Sequence, residues 1–212
     1  MKIAPSILNL TEDKFSSKMD EFIQAGIEYL HLDIMDGIFV TNNTKKVELL
    51  KSVNNYPFIF DSHLMVINPL DYVDDFVQAG TNIITFHVEA KTDVNRTIDY
   101  IHSKNIKAGI SIKPNTEVSQ IIPYLNKVDL VLVMSVEPGY GGQAFMPASL
   151  DKIKELDIYR KDNNLNYLIE ADGGINLDNS KSLKDAGCDL VVMGTFLLKN
   201  NTIDIVSKVN KL

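Results

Sequence analysis

Two histidines and several carboxylates fall near the ends of apolar runs in this chain, where metal-ligating or acid–base side chains could be presented together. The first run ends in His31-Leu32-Asp33-Ile34-Met35-Asp36-Gly37. The second ends in Asp61-Ser62-His63-Leu64-Met65 and the third in Glu170-Ala171-Asp172-Gly173-Gly174. Successive side chains of a strand alternate faces, so His31 and Asp33 share one face while Leu32 and Ile34 take the other. Titratable residues on the inner face of a strand are costly unless they bind or react. If the three strand ends converge, His31, Asp33, His63 and Asp172 make a two-histidine, two-carboxylate set suited to a divalent transition metal. Asp36 ranks below Asp33, because Asp-Gly after a strand is ordinary turn chemistry.

A second pattern consists of small residues. Pro138-Gly139-Tyr140-Gly141-Gly142 places three glycines within four residues, which lets backbone N–H groups close around an anion. Gly173-Gly174 precedes a helix, and Gly194-Thr195 follows the last strand. Turns of this kind after late strands suit a phosphate group. Met35, Met65 and Met134, all near strand ends, could form an adaptable apolar wall. His87 is expected inside the pocket without the spacing of a metal ligand, and His102 on a helix surface. Lys113 reads either as a pocket residue or as a solvated loop lysine. Cys188 is the single cysteine, which excludes an intramolecular disulfide and a cysteine-based zinc site; it is expected to be structural, at the face opposite the strand ends.

The elements that must position these residues alternate along the chain. Apolar runs at 2–6, 28–33, 57–63, 82–88, 106–112, 130–135, 167–171 and 190–193 predict strands. Stretches at 12–24, 46–53, 69–79, 94–103, 118–125, 148–161, 177–186 and 202–211 predict helices, with Pro69 opening one and Gly80 following it. Near-continuous apolar strands alternating with helices imply a parallel sheet. Eight such units favour a closed (β/α)8 TIM barrel over an open doubly wound sheet, with residues 1–212 as a single domain. In a barrel the strand ends carrying Ser6, Asp33, His63, His87 with Glu89, Lys113, Ser135, Asp172 and Gly194 meet at one face, where barrel enzymes react.

Composition narrows the function classes. A 45% apolar chain of 212 residues can fill one core. A net charge of −7 argues against nucleic-acid and anionic-membrane partners. No apolar run approaches the ~18 residues of a membrane span. The N-terminal stretch turns polar by Thr11, so no secretory leader is expected and a cytoplasmic protein is.

Taken together, these motifs resemble the ribulose-phosphate 3-epimerase family. The resemblance runs from Ala4-Pro5-Ser6-Ile7-Leu8 to Met193-Gly194-Thr195. Its most specific pieces are residues 31–37, His63-Leu64-Met65, Pro138-Gly139-Tyr140-Gly141-Gly142-Gln143 and Asp172-Gly173-Gly174. It implies one divalent metal ion per chain (zinc, iron, manganese or cobalt) on His31, Asp33, His63 and Asp172. Asp33 and Asp172 would double as the acid/base pair inverting carbon 3 of a ketose phosphate, with ribulose 5-phosphate and xylulose 5-phosphate interconverted. Ser6 and His63 would touch the sugar. The stretches Gly139, Tyr140, Gly141, Gly142, then Gly173, Gly174, then Gly194, Thr195 would hold its phosphate. A homo-oligomer is also implied.

Three other functions are weighed against this one. A hexulose-phosphate 3-epimerase acting on allulose 6-phosphate would use the same site. A phosphate-binding barrel lyase or decarboxylase is a second alternative, but the related decarboxylases carry an Asp-x-Lys-x-x-Asp strand array, and Asp33-Ile34-Met35-Asp36 lacks that lysine. A non-catalytic sugar-phosphate sensor would need no paired carboxylates. The family's proline-bearing loop is replaced here by residues 38–47, with Thr41 at the proline's place. That loop is expected over the pocket mouth, where it bears on the length of sugar accepted.

Overall fold

A computed structural model describes residues 1–44 and 46–212. Its strands are β1 (Lys2–Pro5), β2 (Tyr29–Met35), β3 (Ile59–Met65), β4 (Ile83–His87), β5 (Lys107–Ile112), β6 (Leu130–Met134), β7 (Leu168–Asp172) and β8 (Leu190–Met193). Neighbours pair in parallel in the order β1-β8-β7-β6-β5-β4-β3-β2. A parallel bridge between Ser6 and His31 brings β1 back beside β2 and closes the (β/α)8 barrel. The helices are α1 (Phe15–Gln24), α2 (Lys46–Val53), α3 (Leu70–Gln78), α4 (Val94–Ser103), α5 (Ser149–Asp162), α6 (Leu177–Asp185), α7 (Thr195–Leu198) and α8 (Thr202–Asn210).

Period-two alternation sorts each strand's residues between two cores. Leu30, Leu32 and Ile34 of β2 face outward into a core shared with Met19 and Phe22 of α1 and Leu50 and Val53 of α2, all fully buried. Inside, Ala4, Tyr29, Ile83, Leu130, Leu132, Leu190 and Val192 fill the barrel with apolar side chains. Local signals set the helix starts. Asp93 accepts the N–H of Arg96 to cap α4, and Asn176 with Asn179 forms a capping box at α6.

The structure departs from the predicted elements in four places, the mildest being a 3-10 turn at Glu12–Lys14 ahead of α1. The stretch 118–125 is two 3-10 turns, Val118–Gln120 and Ile122–Tyr124, rather than an α-helix. Pro123 has no N–H to bond the carbonyl four residues back, and its ring crowds that carbonyl. Helix α7 is an extra short turn between β8 and α8. Strands β2 and β3 run two residues further than predicted, so Asp33 and His63 sit inside strands rather than at their ends. Register pairs the two across β2 and β3, and β4 pairs His63 with Thr85 on its other side. Within the substituted loop at 38–47, Lys45 lies outside the described residues. No helix among the described residues is long and apolar enough to cross a membrane.

Candidate active site

Strand register assembles the cluster. It sets His31 beside Asp61 and Asp33 beside His63 across β2 and β3, and Asp172 beside Met134 across β7 and β6. His31, Asp33, His63 and Asp172 each offer a ligand atom, and these atoms lie within 4.8 Å of one another. His31 Nε2 and His63 Nδ1 each stand 3.5 Å from Asp33 Oδ1. Both nitrogens are buried and neither has a hydrogen-bond partner. An orphaned buried polar group costs about 1–3 kcal/mol. Two such nitrogens aimed at one carboxylate oxygen fit a cation that takes all three lone pairs. In a tetrahedral first-row metal site, ligand atoms stand roughly 3.4 Å apart. The donor set therefore fits a divalent metal.

Each imidazole is tied through its other nitrogen. His31 Nδ1 meets Asp61 Oδ2 at 3.0 Å, and Glu170 Oε1 lies 3.7 Å from the same nitrogen. The hydroxyl of Thr85 donates to Asp61 Oδ1 at 2.8 Å. His63 Nε2 meets His87 Nε2 at 2.8 Å, and His87 Nδ1 meets Glu89 Oε2 at 3.1 Å. Glu89 Oε1 accepts the backbone N–H of Lys113 at 2.8 Å and the hydroxyl of Thr116. Ser6 Oγ donates to Asp33 Oδ2 at 2.6 Å.

This crowding separates the proton affinities of the carboxylates. Burial pushes Asp33 up, but His31 and His63 beside it outweigh burial and hold it well below the usual carboxylate range. Burial and the charge of Asp33 push Asp172 up to about 7. Burial and Asp61 push Glu170 up to about 8. Burial disfavours a charged His31, yet Asp33, Asp61 and Glu170 together raise it well above its ordinary value. Burial lowers His63, only partly offset by Asp33, and lowers His87 to about 4. Glu89 falls to about 2, because His87 and its hydrogen-bond donors outweigh its burial.

Above the cluster, at the C-terminal ends of the strands, opens a cavity of ≈ 320 Å³. Asp33 and Asp172 reach its wall, while the fully buried His31 and His63 lie beneath. Met35 and Met65, from adjacent strands, line the wall together, whereas Met134 reaches it from β6 across the barrel, so the three do not form the single apolar wall expected from sequence. The rest combines small residues, Gly139, Gly141, Gly142, Gly173, Gly174, Gly194 and Thr195, with larger side chains such as Tyr140, Gln143, Phe196 and Lys199. Gly174 is confined to glycine: its φ is +63°, and an added Cβ would lie 2.4 Å from the backbone nitrogen of Phe145. At Gly141 an added Cβ would meet the Asn9 amide at 2.4 Å, and that amide donates to the Thr195 hydroxyl at 3.2 Å.

The loop after β2 crosses the mouth. Asp36 shapes it, accepting the N–H groups of Ile38 and Phe39 at 2.8 Å and of Ile67 at 2.7 Å, which is the turn role read from Asp-Gly. Thr41 hydrogen-bonds the Tyr140 hydroxyl, a contact a proline cannot make, and Asn42 donates to the Gly139 carbonyl at 2.7 Å. Lys113 places its amine 3.9 Å above the Phe39 ring and is not part of the cavity wall. His102 pairs with Asp129 at 2.9 Å on the surface, and Cys188 is buried.

Motif spacing alone assigns no role to Asp61 or Glu170 and no partner to His87. The signal was present. Asp61 alternates with His63, and Glu170 with Asp172, just as His31 alternates with Asp33. Each pair therefore shares the inner face, with one member a step deeper.

The family model described as "Ribulose-phosphate 3 epimerase family" matches residues 2–198. A ribulose-phosphate 3-epimerase of Treponema pallidum is 36% identical over 97% of this chain and 95% of that relative. The Escherichia coli K12 enzyme of the same name is 39% identical over 91% and 87% respectively. A relative from Oryza sativa, named as the cytoplasmic isoform, is 38% identical over 92% and 86%. Among solved structures, a 3-hexulose-6-phosphate synthase superposes with a TM-score of 0.72 at 10% identity, covering 100% of this chain and 99% of that one. The Salmonella typhimurium protein of that name gives 0.71 at 15% identity, covering 100% and 97%. At such identities the likeness is one of fold alone.

Proposed function

The chain belongs to the ribulose-phosphate 3-epimerase family, and on that premise we propose that it inverts carbon 3 of a pentulose phosphate, interconverting ribulose 5-phosphate and xylulose 5-phosphate. The observation that carries this reading is the convergence of His31, Asp33, His63 and Asp172 at the floor of a cavity rimmed by glycine turns. These four residues would hold one divalent cation, zinc or iron in the first instance. When bound, such a cation supplies Lewis acidity that favours negative charge on a neighbouring substrate oxygen.

The chain's own residues divide the remaining work. Asp33 and Asp172 project from strands β2 and β7 on different sides of the barrel. One takes the proton from carbon 3 and the other delivers a proton to the opposite face. Such an inversion needs one carboxylate ionised and one protonated, and two carboxylates this close titrate as a coupled pair. The hydroxyl of Ser6, bonded to Asp33, aligns that carboxylate and lies at the cavity wall, within reach of the sugar. N–H groups of 139–142, Gly174, Gly194 and Thr195 would hold the phosphate, whose binding orients the reacting end. The same reading takes the protein to be a cytoplasmic homo-oligomer.

The test is to incubate the protein with pentulose and hexulose phosphates in deuterated water, before and after chelation. Deuterium should enter carbon 3 with inversion, fastest for the pentulose phosphate, and should stop when the metal is stripped. A larger kcat/KM for the six-carbon substrate removes the pentulose assignment. Absence of carbon-3 exchange with any ketose phosphate removes the epimerase reading, and full activity after thorough chelation removes the metal.

A further inference from the structure

We infer that Glu89, acting through His87, determines which nitrogen of His63 carries its hydrogen, and so leaves Nδ1 free to hold a cation. This inference rests on the metal-site reading above. Neither Glu89 nor His87 is among the four residues that face the cation.

The assignment follows from donors and acceptors taken in order from the rim inward. Glu89 Oε1 accepts from the backbone N–H of Lys113 and the hydroxyl of Thr116. An ionised carboxylate has no hydrogen to give, so Oε2 can only accept from His87 Nδ1, 3.1 Å away. His87 is fully buried, with Phe39 against its ring at 4.8 Å and His63 at 5.0 Å between centroids. Burial favours its neutral form, which has a single N–H. With that hydrogen on Nδ1, Nε2 presents a lone pair to His63 Nε2, 2.8 Å away. A bond between those nitrogens then needs a hydrogen from His63. Neutral His63 consequently carries its hydrogen on Nε2, and its Nδ1 lone pair points at Asp33 Oδ1. For His31 the carboxylate of Asp61 holds the Nδ1 hydrogen directly, so Nε2 is the nitrogen that would face a cation once the cation displaces its proton. Two different supports thus orient one nitrogen of each histidine toward the same carboxylate oxygen. Glu89 and His87 are positioning residues, since they act through His63.

The decisive variants reverse or preserve the direction of this chain. In Glu89→Gln, the amide oxygen still accepts from Lys113 and Thr116, and the amide nitrogen now donates to His87. That drives the His87 hydrogen to Nε2 and the His63 hydrogen to Nδ1. Zinc affinity, measured by competition with a chromogenic chelator, should fall about 10- to 100-fold, the range for lost outer support of a ligating histidine. His87→Gln keeps the original direction, with a carbonyl accepting from His63 and an amide donating to Glu89. Its zinc affinity should stay within about threefold of the unaltered protein, one satisfied pattern replacing another. A purely structural role predicts the opposite order, because His87 is buried closer to the site. In the metal-free unaltered protein, nitrogen-15 spectra should place hydrogens on His87 Nδ1 and His63 Nε2.

Unchanged zinc affinity in Glu89→Gln overturns the inference. So does a loss in His87→Gln as large as that in Glu89→Gln, or a His87 hydrogen on Nε2. If Glu89→Gln does not fold, the spectra of the unaltered protein decide. Unaltered protein that binds no zinc overturns the metal-site reading itself, whereas normal binding with an unaffected Glu89→Gln variant overturns only the role of Glu89.

Discussion

The two ends of the cavity are built from different parts of the chain. At the floor, side chains from β2, β3 and β7 converge, and most are gripped by another side chain: Asp33 by Ser6, His31 by Asp61, His63 by His87. At the rim, the loops after β6, β7 and β8 present glycine-rich main chain beside larger side chains such as Tyr140, Gln143 and Lys199, and Asn9 and Thr195 supply a side-chain contact. The difference teaches where residue identity matters. At the floor, a change of one atom type alters which groups can donate, so an isosteric substitution is severe. At the rim, backbone conformation carries the geometry, so the damaging changes are those that add a Cβ where none fits. The ends also differ in charge preference. A gathering of buried carboxylates calls for a cation, whereas exposed N–H groups suit an anion. A substrate with an anionic tail and a reactive neutral head would enter in one orientation.

Breaking the floor should have the largest effect. Asp172→Asn should lower carbon-3 inversion about 10²- to 10⁴-fold, the usual contribution of a positioned acid or base. Metal content is measured on the same samples. Near-normal inversion with metal retained would remove Asp172 from proton transfer and weaken the contrast between the two ends.

The rim answers to backbone changes. Gly174→Ala forces a side chain into a φ of +63° against the backbone of Phe145, and should lower stability by about 1–3 kcal/mol, read from the denaturant midpoint. Gly141→Val meets only the flexible amide of Asn9, so the fold should hold. Its KM for the ketose phosphate should rise roughly tenfold, the loss of one hydrogen bond to a charged group at the low end of its range. Its KM for the unphosphorylated ketose should not change; an equal rise for both would detach the rim from phosphate binding.

The smallest effect belongs to the mouth. Thr41→Pro removes an exposed hydroxyl contact with Tyr140, worth about 1 kcal/mol at most, so kcat/KM should change less than about fivefold. A shift well beyond that in the preference between pentulose and hexulose phosphates would make the mouth loop, rather than either end of the cavity, the selector of sugar length.

What the sequence determined by itself was what local physics governs. The order of strands and helices followed from apolar period and from stops such as Gly80. The four clustered residues followed from alternation along single strands. Even the failed helix at 118–125 had its cause in view, because Pro123 breaks the backbone ladder from within. The tertiary structure alone decided how these pieces meet. It closed the barrel at Ser6 and His31, and it laid Thr41 and Asn42 across to the loop at 138–142. It also decided which nitrogen of each histidine is free, because that choice belongs to a partner on another strand: Asp61, 30 residues from His31, and His87, 24 residues from His63. Side-chain alternation is a property of one strand. A hydrogen bond across the barrel depends on register, closure and burial together, and those exist only once the whole sheet has formed.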